Sequence, residues 1–459
     1  MLADLIQSEI QELIEQRKFA ELKQVLAEWH PADLGEAIVE FPVEQQAVIF
    51  RLLPQTLAAD VFEYLNIEAQ GQLLHALGQE EAVKILNEMA PDDRTAMLEE
   101  LPSAAVTQLL KLLSPTERAT AQALLGYPEG SVGRLMTPDF IAVRDEWTVQ
   151  QVLDYVRQHG RDSETLNVLY VVDDDGKLID DVRIREFLLR PLEATVRSIR
   201  NEEFYALKVT DSEEQAVEAF RRYDRNVLPV VDSAGKLVGI VTVDDVLDVA
   251  EEAATEDIQK FGGTDALDEP YIQISLPKMI RKRAGWLVIL FIGELLTATA
   301  MGFFEHEIAR AVVLALFVPL IISSGGNSGS QAATLIIRAM ALGEVTLRDW
   351  WRVMRRELLA GLALGAILGS IGFLRISLWS AFSNLYGPHW LPVAMTVGVA
   401  LVGVVMWGTL AGSMLPFLLR RLGFDPAASS APFVATLVDV TGLIIYFVIA
   451  ALILRGTLL

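Results

Sequence analysis

The 459-residue chain contains no cysteine and only five histidines. Disulfide frameworks and thiolate metal sites are therefore excluded, and imidazole groups can contribute little to metal binding. Any metal ion that the chain binds is expected to be a hard cation held by oxygen ligands. The first 16 residues also lack the basic start and the apolar core of a secretory signal peptide, which predicts a cytoplasmic N-terminus.

Basic residues are scarce in the first part of the chain. Residues 1–269 hold 53 Asp and Glu against 24 Lys and Arg, a net charge of −29, whereas residues 270–459 carry a net charge of +6. The whole chain is nevertheless 52% hydrophobic, with a mean hydropathy of +0.35. A single soluble domain rarely combines these properties. The sequence therefore predicts an acidic cytoplasmic part followed by a membrane part, and we expect no nucleic-acid partner.

A unit of about a dozen residues recurs through the acidic part. Each repeat opens with proline, asparagine or glycine, and acids suited to the first turn of a helix often follow. The repeats begin at Pro31, Pro42, Pro54, Asn66, Gly78, Pro91, Pro102 and Pro115. Stacked short helices around one core would explain this spacing, which predicts an all-α superhelical domain over residues 1–130. The domain is a scaffold without chemistry unless an acidic surface faces Asp60, Asp92 and Asp93.

Two halves of about sixty residues follow, in which strand patterns alternate with helical patterns. The runs 166–173 and 227–232 each lead into a Gly-Lys turn, as buried strands of an α/β fold do. Together with Met136-Thr137-Pro138, these features resemble a tandem pair of CBS domains. We expect the two domains over residues 131–198 and 199–246.

The CBS resemblance implies an adenine nucleotide such as ATP, since such pairs often bind one. Gly239, Thr242 and Asp245 match the glycine, hydroxyl and acid with which the family contacts the ribose. In the first half, residues 179–183 replace the usual glycine and hydroxyl. The alternatives are a nucleotide site at these three residues and a purely structural hydroxyl at Thr242.

A run of seven acids without a basic residue joins the CBS pair to the membrane part. These acids are Asp244, Asp245, Asp248, Glu251, Glu252, Glu256 and Asp257. A solvated helix face is the ordinary explanation. However, like charges at helical neighbour spacing cost about a few tenths of a kcal/mol per pair. We therefore expect a connecting helix over residues 247–269 whose position depends on neutralising cations.

Five apolar segments follow within residues 270–459, and each reaches the roughly 20 residues that a bilayer requires. The expected spans are residues 284–304, 308–337, 358–378, 391–419 and 432–454. Basic residues cluster on alternate loops, which predicts a cytoplasmic N-terminus and an extracytoplasmic C-terminus. We expect a multi-pass protein of the plasma (inner) membrane, in contact with lipid. The small polar residues 323–331 are expected to break the second span and to line a solute pathway.

Asp439 is the main candidate for a transport residue. It lies within the fifth span, where an ionised carboxylate costs on the order of 3 kcal/mol unless it faces a pore, a cation or a partner. No basic residue follows it before Arg455, so a transported cation would supply the missing positive charge. The alternative is a protonated, structural carboxyl group. Glu294 is a second mid-span acid, but packing and hydrogen bonding explain it equally well.

Two amides and a set of glycines complete the membrane motifs. Asn327 and Gln331 lie four residues apart and so on one helix face, where their oxygens would hold the water shell of a hydrated cation. Hydrogen bonding between spans is the alternative, above all for Gln331. Gly361, Gly365 and Gly369 repeat every four residues, which is typical of close helix packing.

The order of these parts resembles the MgtE family of magnesium channels over the whole chain. The resemblance is strongest in the motifs Gly-Gly-Asn-Ser-Gly-Ser-Gln-Ala-Ala-Thr-Leu, from Gly325, and Asp-Val-Thr-Gly, from Asp439. It implies a homodimer with the pore along the shared axis and Mg²⁺ as both transported and regulatory ion. The residues expected at the pore are Gly325, Gly326, Asn327, Ala435 and Asp439.

The resemblance also implies carboxylates that sense cytosolic Mg²⁺. The expected sensor residues are Asp60, Asp92, Asp93, Glu214, Asp224, Asp245, Asp248, Glu252, Glu256, Asp257 and Asp425. Ala96 and Ala253 stand where a family member can carry acids, which implies that sensing is weaker or differently distributed in this chain.

The function expected from these features is a Mg²⁺-selective channel for magnesium uptake. Cytosolic Mg²⁺ would bridge the acidic domains and the connecting helix and thereby close the pore. A secondary carrier for Mg²⁺, Co²⁺ or Mn²⁺ and a membrane-anchored CBS nucleotide sensor are the alternatives. An enzyme is not expected, because we find no nucleophile-base set, phosphate loop or metal-histidine motif.

Overall fold

A computed structural model describes residues 2–99, 101–201, 203–267, 271–272, 274–383, 386–455 and 457–458. The chain divides into two compact units, residues 1–250 and residues 251–459. The first unit contains an all-α domain and a pair of α/β domains, and the second contains the end of an acidic helix followed by apolar helices. The multidomain fold class expected from the sequence is therefore confirmed.

Ten short helices form the N-terminal domain. They are α1 (Leu2–Glu15), α2 (Phe19–Leu26), α3 (Pro31–Val39), α4 (Val43–Leu52), α5 (Gln55–Glu63), α6 (Ile67–Leu77), α7 (Gln79–Glu88), α8 (Pro91–Glu99), α9 (Ser103–Leu112) and α10 (Pro115–Leu124). From α3 onward each helix begins at or directly after the residue that opens a sequence repeat, which confirms the predicted repeat. Proline is tolerated there because first-turn N–H groups have no acceptor within the helix. Helices two apart in sequence pack together, from α1 with α3 to α5 with α7, as in a superhelical array.

A buried arginine holds α8 in place. The Arg94 side chain is fully buried, and its guanidinium donates to the backbone oxygens of Leu86 (3.0 Å) and Met89 (3.3 Å). It also donates to the carboxylate of Glu117 in α10, at 2.5 Å. A buried charge is tolerated only when it is paired and hydrogen-bonded. These bonds therefore fix the position of α8, whose first turn carries two of the predicted sensor acids.

The CBS pair contains two three-stranded sheets. Its elements are α11 (Val132–Leu135), β1 (Ala142–Arg144), α12 (Val149–His159), β2 (Val168–Val172), β3 (Leu178–Arg183), α13 (Ile184–Leu188), β4 (Leu207–Lys208), α14 (Glu213–Tyr223), β5 (Val227–Val231) and β6 (Leu237–Thr242). The middle strands β2 and β5 pair in parallel with β1 and β4 and antiparallel with β3 and β6. Both predicted strand runs are confirmed. The turns after them place Gly176 and Gly235 at φ of 82° and 79°, which glycine adopts without strain.

The connecting helix α15 (Val243–Phe261) begins and ends earlier than the predicted range of residues 247–269. It begins directly after β6 because the N–H and hydroxyl of Thr242 donate to Asp245 in the first turn, at 3.2 and 2.5 Å. It ends because Gly262 and Gly263 follow, the latter at φ 75°. Residues 268 and 269 of the predicted range lie outside the described part of the chain.

The second unit contains five helices long and apolar enough to cross a membrane, counted over the described residues. Its helices are α16 (Leu276–Phe303), α17 (Glu305–Arg310), α18 (Val318–Ala341), α19 (Trp350–Phe382), α20 (Trp390–Arg421) and α21 (Ala431–Ile453). Five apolar helices correspond to the five expected spans, although α16 and α19 each begin eight residues earlier than expected and α18 begins ten residues later. Helices α18 to α21 pack together, and α16 packs mainly against α21.

The expected break in the second span is wrong. Helix α18 continues through all of residues 323–331, and the irregular backbone lies before it, in a 3₁₀ segment Val312–Phe317. The glycines serve close packing instead. A Cβ added to Gly329 would lie 2.9 Å from the backbone oxygen of Gly408, and a Cβ on Gly412 would overlap the backbone oxygen of Gly329. Small residues let membrane helices approach in this way, so α18 and α20 meet backbone to backbone.

Replacing Gly412 by Ala is expected to destabilise the membrane unit by about 1–3 kcal/mol, because the added methyl group must push α20 away from α18. Thermal unfolding of the purified protein in detergent measures the effect. Gly285→Ala is the matched control, since a Cβ at Gly285 in α16 would meet no atom within 4 Å. Equal stability of the two variants would contradict the backbone contact.

Candidate functional site

Asp439 is half-buried in α21 and makes no hydrogen bond or ion pair with the residues that the structure describes. Gly326 of α18 lies beside it, since a Cβ added there would be 3.7 Å from Oδ1 of Asp439 and 3.5 Å from Cβ of Ala435. Glu294 of α16 lies close enough for its charge to act on Asp439. An unpaired carboxylate with a second acid nearby leaves negative charge at membrane depth, which a cation would neutralise.

A polar stripe runs along the exposed face of α18, next to this carboxylate. Ser323, Asn327, Gln331 and Thr334 follow at intervals of three or four residues, and all four are exposed in the single chain. The side-chain nitrogen of Asn327 lies 3.5 Å from Oγ of Ser323. Polar groups at membrane depth face protein or water rather than lipid. This face of α18 therefore requires a wet cavity or a second protein surface.

Two of the predicted pore residues have different surroundings. Gly325 is buried, because a Cβ added to it would lie 2.6 Å from Val404 of α20 and 2.7 Å from Val438 of α21. Ala435, in contrast, lies beside Gly326. The two adjacent glycines therefore have different surroundings. Gly325 packs against neighbouring helices, and Gly326 lies beside the Asp439 carboxylate. The sequence cannot distinguish the two, since both are glycine.

Acidic side chains from separate elements interact within residues 1–250. Asp93 lies in the first turn of α8, Asp245 in the first turn of α15, and Glu164 in the loop before β2. Burial and the charge of Asp245 raise the pKa of Asp93 to about 7. Burial raises the pKa of Asp245 to about 6, although a hydrogen bond from Thr242 opposes the shift. The N-terminal domain and the CBS pair therefore present carboxylates to each other.

Two further acids belong to this cluster. Burial and the charge of Asp245 raise the pKa of Asp92 well above its usual range. Burial and the charge of Asp93 raise the pKa of Glu63 to about 7, even though the N–H of Ala90 donates to its carboxylate at 3.1 Å. Glu63 and Glu164 are not among the sensor residues predicted from the sequence. Glu63 follows Asp60, which was predicted, by about one turn of α5. This spacing is the sequence feature that could have indicated Glu63.

The spacing of these carboxylates bears on the ion that they would bind. Among the described residues, no three Asp, Glu or His side chains lie close enough together to hold a metal ion. Mg²⁺ keeps several of its waters and is usually bound through one or two carboxylates, whereas Ca²⁺ takes six to eight oxygen ligands.

The remaining predicted sensor acids lie in other places. Glu214 and Asp224 are exposed at opposite ends of α14, and Asp224 ends that helix with φ of 50°. Asp248 is exposed on α15, from where its charge acts on Asp93. Glu252 is exposed on the following turn of α15.

A second group of predicted sensor acids meets within the membrane unit. Glu256 and Asp257 lie near the end of α15, and Asp425 lies in the loop before α21. Lys260, for which the sequence predicts no role, joins them. Its Nζ lies 2.6 Å from Oε1 of Glu256 and 2.8 Å from Oδ2 of Asp425. Burial and the charge of Asp425 raise the pKa of Asp257, whereas the charge of Lys260 lowers it, so Asp257 lies near both of these groups.

Residues that were predicted to contact a nucleotide make contacts within the protein instead. A Cβ added to Gly239 would lie 2.6 Å from the sulfur of Met136, and the hydroxyl of Thr242 donates to Asp245. Three arginines instead line a cleft of about 410 Å³ at the starts of β2 and β5, the middle strands of the two CBS sheets. The cleft is lined by Asn167, Val168, Arg183, Ile184, Arg185, Asp224, Arg225, Asn226 and Val227. One guanidinium group can donate two parallel hydrogen bonds to the oxygens of a phosphate group. This cleft is therefore suited to binding phosphate.

Comparison with known proteins agrees with this architecture. Family models match residues 29–130 (MgtE intracellular N domain), residues 132–192 and 196–252 (CBS domain) and residues 318–449 (MgtE, divalent cation transporter). The magnesium transporter MgtE of Thermus thermophilus is 41% identical over 450 residues, which cover 97% of this chain and 98% of that protein. The chain belongs to the MgtE family. The MgtE transporter of Enterococcus faecalis is 31% identical over 74% of this chain and 72% of its own length.

Solved structures match about half of this MgtE family member. The cytosolic domain of the Mg²⁺ channel MgtE in complex with ATP is 36% identical, with a TM-score of 0.51, and covers 53% of this chain and 99% of its own. The soluble part of a magnesium transporter, 24% identical with a TM-score of 0.52, covers 55% of this chain and 99% of its own and shows the same fold. The relatives are named as transporters rather than enzymes, and the five apolar helices make the chain a multi-pass membrane protein.

Proposed function

We propose that the chain forms a Mg²⁺-selective channel for magnesium uptake. The observation that carries the proposal is Asp439, an unpaired carboxylate at membrane depth beside Gly326 and within reach of the charge of Glu294. The proposed assembly is a homodimer in the plasma (inner) membrane, with a cytoplasmic N-terminus and an extracytoplasmic C-terminus. Membership of the MgtE family, whose relatives are named magnesium transporters, supports the proposal.

Two copies of the chain would complete the ion path. The exposed polar stripe of α18 and the Asp439 carboxylate would then occur twice around one axis and line a hydrated route. Mg²⁺ sheds water reluctantly and prefers octahedral oxygen ligands, so a wide path with two carboxylates suits it. The absence of cysteine and the scarcity of histidine disfavour Zn²⁺ and Cu⁺.

Mg²⁺ uptake into liposomes that contain the purified protein tests this function. An entrapped Mg²⁺ indicator records the uptake with and without an imposed membrane potential. Uptake that follows the potential and needs no coupling ion supports a channel. Uptake that requires a proton or Na⁺ gradient identifies a secondary carrier, and uptake equal to that of protein-free liposomes contradicts transport.

Cytosolic Mg²⁺ is proposed to close the channel through the acidic cytosolic unit. Two carboxylates about 4 Å apart repel by about 1 kcal/mol in water and by about 4 kcal/mol at an effective dielectric constant of about 20. Mg²⁺ between Asp93 and Asp245 would remove this repulsion and hold the connecting helix at the pore mouth. When cytosolic Mg²⁺ falls, repulsion separates the domains and the pore opens. An ion that binds the closed form more tightly must shift the population toward that form.

A second proposed function is the binding of an adenine nucleotide in the arginine-lined cleft of the CBS pair. Replacing Arg183 and Arg225 together by Ala is expected to weaken ATP binding at least about tenfold, because each charged hydrogen bond contributes about 1.5–3 kcal/mol. Isothermal titration of the purified protein with ATP measures this loss. Arg157→Ala is the control, since Arg157 is exposed on α12 and pairs with Asp154. Unchanged affinity in the double variant would exclude the cleft.

A further inference from the structure

Three membrane helices bring their arginine-rich ends together. Met340 near the end of α18, Val353 near the start of α19 and Phe417 near the end of α20 belong to one buried cluster. Seven arginines lie on these helix ends, and all of them are exposed in the single chain. They form a basic patch that consists of Arg338, Arg348, Arg352, Arg355, Arg356, Arg420 and Arg421.

Carboxylates balance only part of the charge of the basic patch. Residues 338–357 and 414–424 contain all seven arginines and three acids, namely Glu344, Asp349 and Glu357. Among the described residues, Arg352 is the only arginine of the patch that forms an ion pair, with Asp349 at 3.4 Å. That carboxylate also accepts hydrogen bonds from the N–H and hydroxyl of Thr346, at 3.1 and 2.8 Å. Glu357 lies close enough to Arg356 for their charges to interact. The patch therefore keeps positive charge that a ligand can use.

The exposed side of α19 changes from arginine to leucine along the span. Arg352, Arg355 and Leu359 follow at intervals of three and four residues, which places them on one side of the helix. Arg348 lies one turn earlier, in a 3₁₀ segment Leu347–Asp349. Leu359 is 61% exposed and Leu362 is 49% exposed, so the same side continues as an apolar surface. A phospholipid has the matching order, with its phosphate group above its acyl chains.

Two tryptophans place the basic patch at the level of the lipid headgroups. Trp350 and Trp351 begin α19, are 48% and 58% exposed, and meet edge to face with ring centroids 5.6 Å apart. Tryptophan is enriched at membrane–water interfaces, where its ring lies among the headgroups. Arg348 and Arg352 are within one turn of this pair, so their guanidinium groups can reach lipid phosphate.

We propose that the basic patch binds anionic phospholipids. The lipid phosphate lies among the guanidinium groups at the start of α19, and the acyl chains follow Leu359 and Leu362. One guanidinium group can donate two parallel hydrogen bonds to phosphate oxygens, and basic residues near the membrane surface attract anionic lipids. A second copy of the chain that met this patch with its own would bring like charges together. The proposal goes beyond the transport function and does not depend on which ion is transported.

Native mass spectrometry of the purified full-length protein in detergent tests the proposal. Phosphatidylglycerol and phosphatidylcholine with the same acyl chains are the two probes. We expect the protein to bind phosphatidylglycerol at least about tenfold more tightly than phosphatidylcholine. Replacing Arg348, Arg352 and Arg355 together by Gln should reduce this preference at least about fivefold, because these charges attract the anionic headgroup. Replacing the same three residues by Lys should keep the preference within about twofold, since the charge remains.

The matched control is an arginine beside a tryptophan at the other end of the same helix. The guanidinium carbon of Arg375 lies 5.7 Å from the ring centroid of Trp379. Arg375→Gln therefore removes a comparable arginine outside the basic patch and should leave the lipid preference unchanged. Glycerol phosphate, which has the phosphate group without acyl chains, should not compete with phosphatidylglycerol. Size-exclusion chromatography in detergent should show the same assembly for every variant.

Several results would overturn the proposal. Equal binding of the two lipids by the unmodified protein, or an unchanged preference in the triple Gln variant, would show that the patch does not select anionic lipid. An equal loss in Arg375→Gln would show that any exposed arginine has the same effect. Effective competition by glycerol phosphate would indicate a site for soluble phosphates, and a smaller assembly of the triple Gln variant would indicate a contact between copies of the chain.

Discussion

Replacing Asp439 by Asn is expected to reduce Mg²⁺ uptake at least about a hundredfold while leaving the protein folded and assembled. Asparagine has the same shape as aspartate, so the change removes the negative charge and little else. A charge about 4 Å from its partner contributes about 4 kcal/mol at an effective dielectric constant of about 20, which is more than a hundredfold in binding. In a homodimer the substitution would remove two such charges. Liposome uptake with an entrapped indicator measures the loss.

The control for this result is a second carboxylate of the membrane unit. Glu357 is half-buried in α19, and Glu357→Gln should leave uptake within about twofold of the unmodified protein. Size-exclusion chromatography in detergent shows whether each variant assembles normally. Uptake by the Asp439→Asn protein at the level of the Glu357→Gln control would remove Asp439 from the ion path and, with it, the observation on which the channel proposal depends.

In EDTA, the fragment 1–261 is expected to lose stability as the pH rises from 5 to 8, with a fall in Tm of about 5–10 °C. The folded-state pKa is about 7 for Asp93 and Glu63 and about 6 for Asp245, all raised above their ordinary values. A raised carboxyl pKa means that the folded state holds protons which the unfolded state has released. The resulting stabilisation is complete below about pH 4 and is lost as the pH rises through 6 and 7. Thermal unfolding at several pH values measures it.

Excess Mg²⁺ should abolish this fall, because it neutralises the carboxylates that are charged at pH 8. Asp93→Asn should flatten the pH dependence in EDTA. Asp33→Asn is the matched control, since Asp33 is the third residue of α3, directly comparable with Asp93 as the third residue of α8, and both helices begin with proline. A Tm that does not change with pH, or that responds equally to both substitutions, would show that the cluster does not couple the N-terminal domain to the CBS pair.

Several elements could be predicted from the sequence because their causes are local. Each repeat of the N-terminal domain opens with a residue that favours the start of a helix, so the repeat that begins at Pro31 gives the helix boundaries of this domain directly. Strand runs that end in a Gly-Lys turn predict β2 and β5 for the same reason. Length and apolar composition are sufficient for the five spans. The sequence also identifies the part of the last span that carries an acid without a basic partner.

The glycine-rich stretch shows where local evidence is insufficient. Glycine permits both a broken helix and a close helix contact, and the choice depends on what lies opposite. In this chain Gly408 and Gly412 of α20 face Gly325 and Gly329 of α18, so the helix remains continuous and the two backbones pack together. No property of α18 alone decides between the two outcomes.

By itself the sequence determined the order of the domains, the number of apolar spans, the absence of thiolate ligands and the candidate carboxylate Asp439. Only the tertiary structure decided that Gly326 rather than Gly325 lies beside that carboxylate, that Glu63 and Glu164 join the acidic cluster, and that Lys260 reaches Asp425. The physical reason is that these interactions join residues far apart in the chain. Charge and hydropathy can be read along one segment, whereas the partner of a charge is set by how separate segments pack.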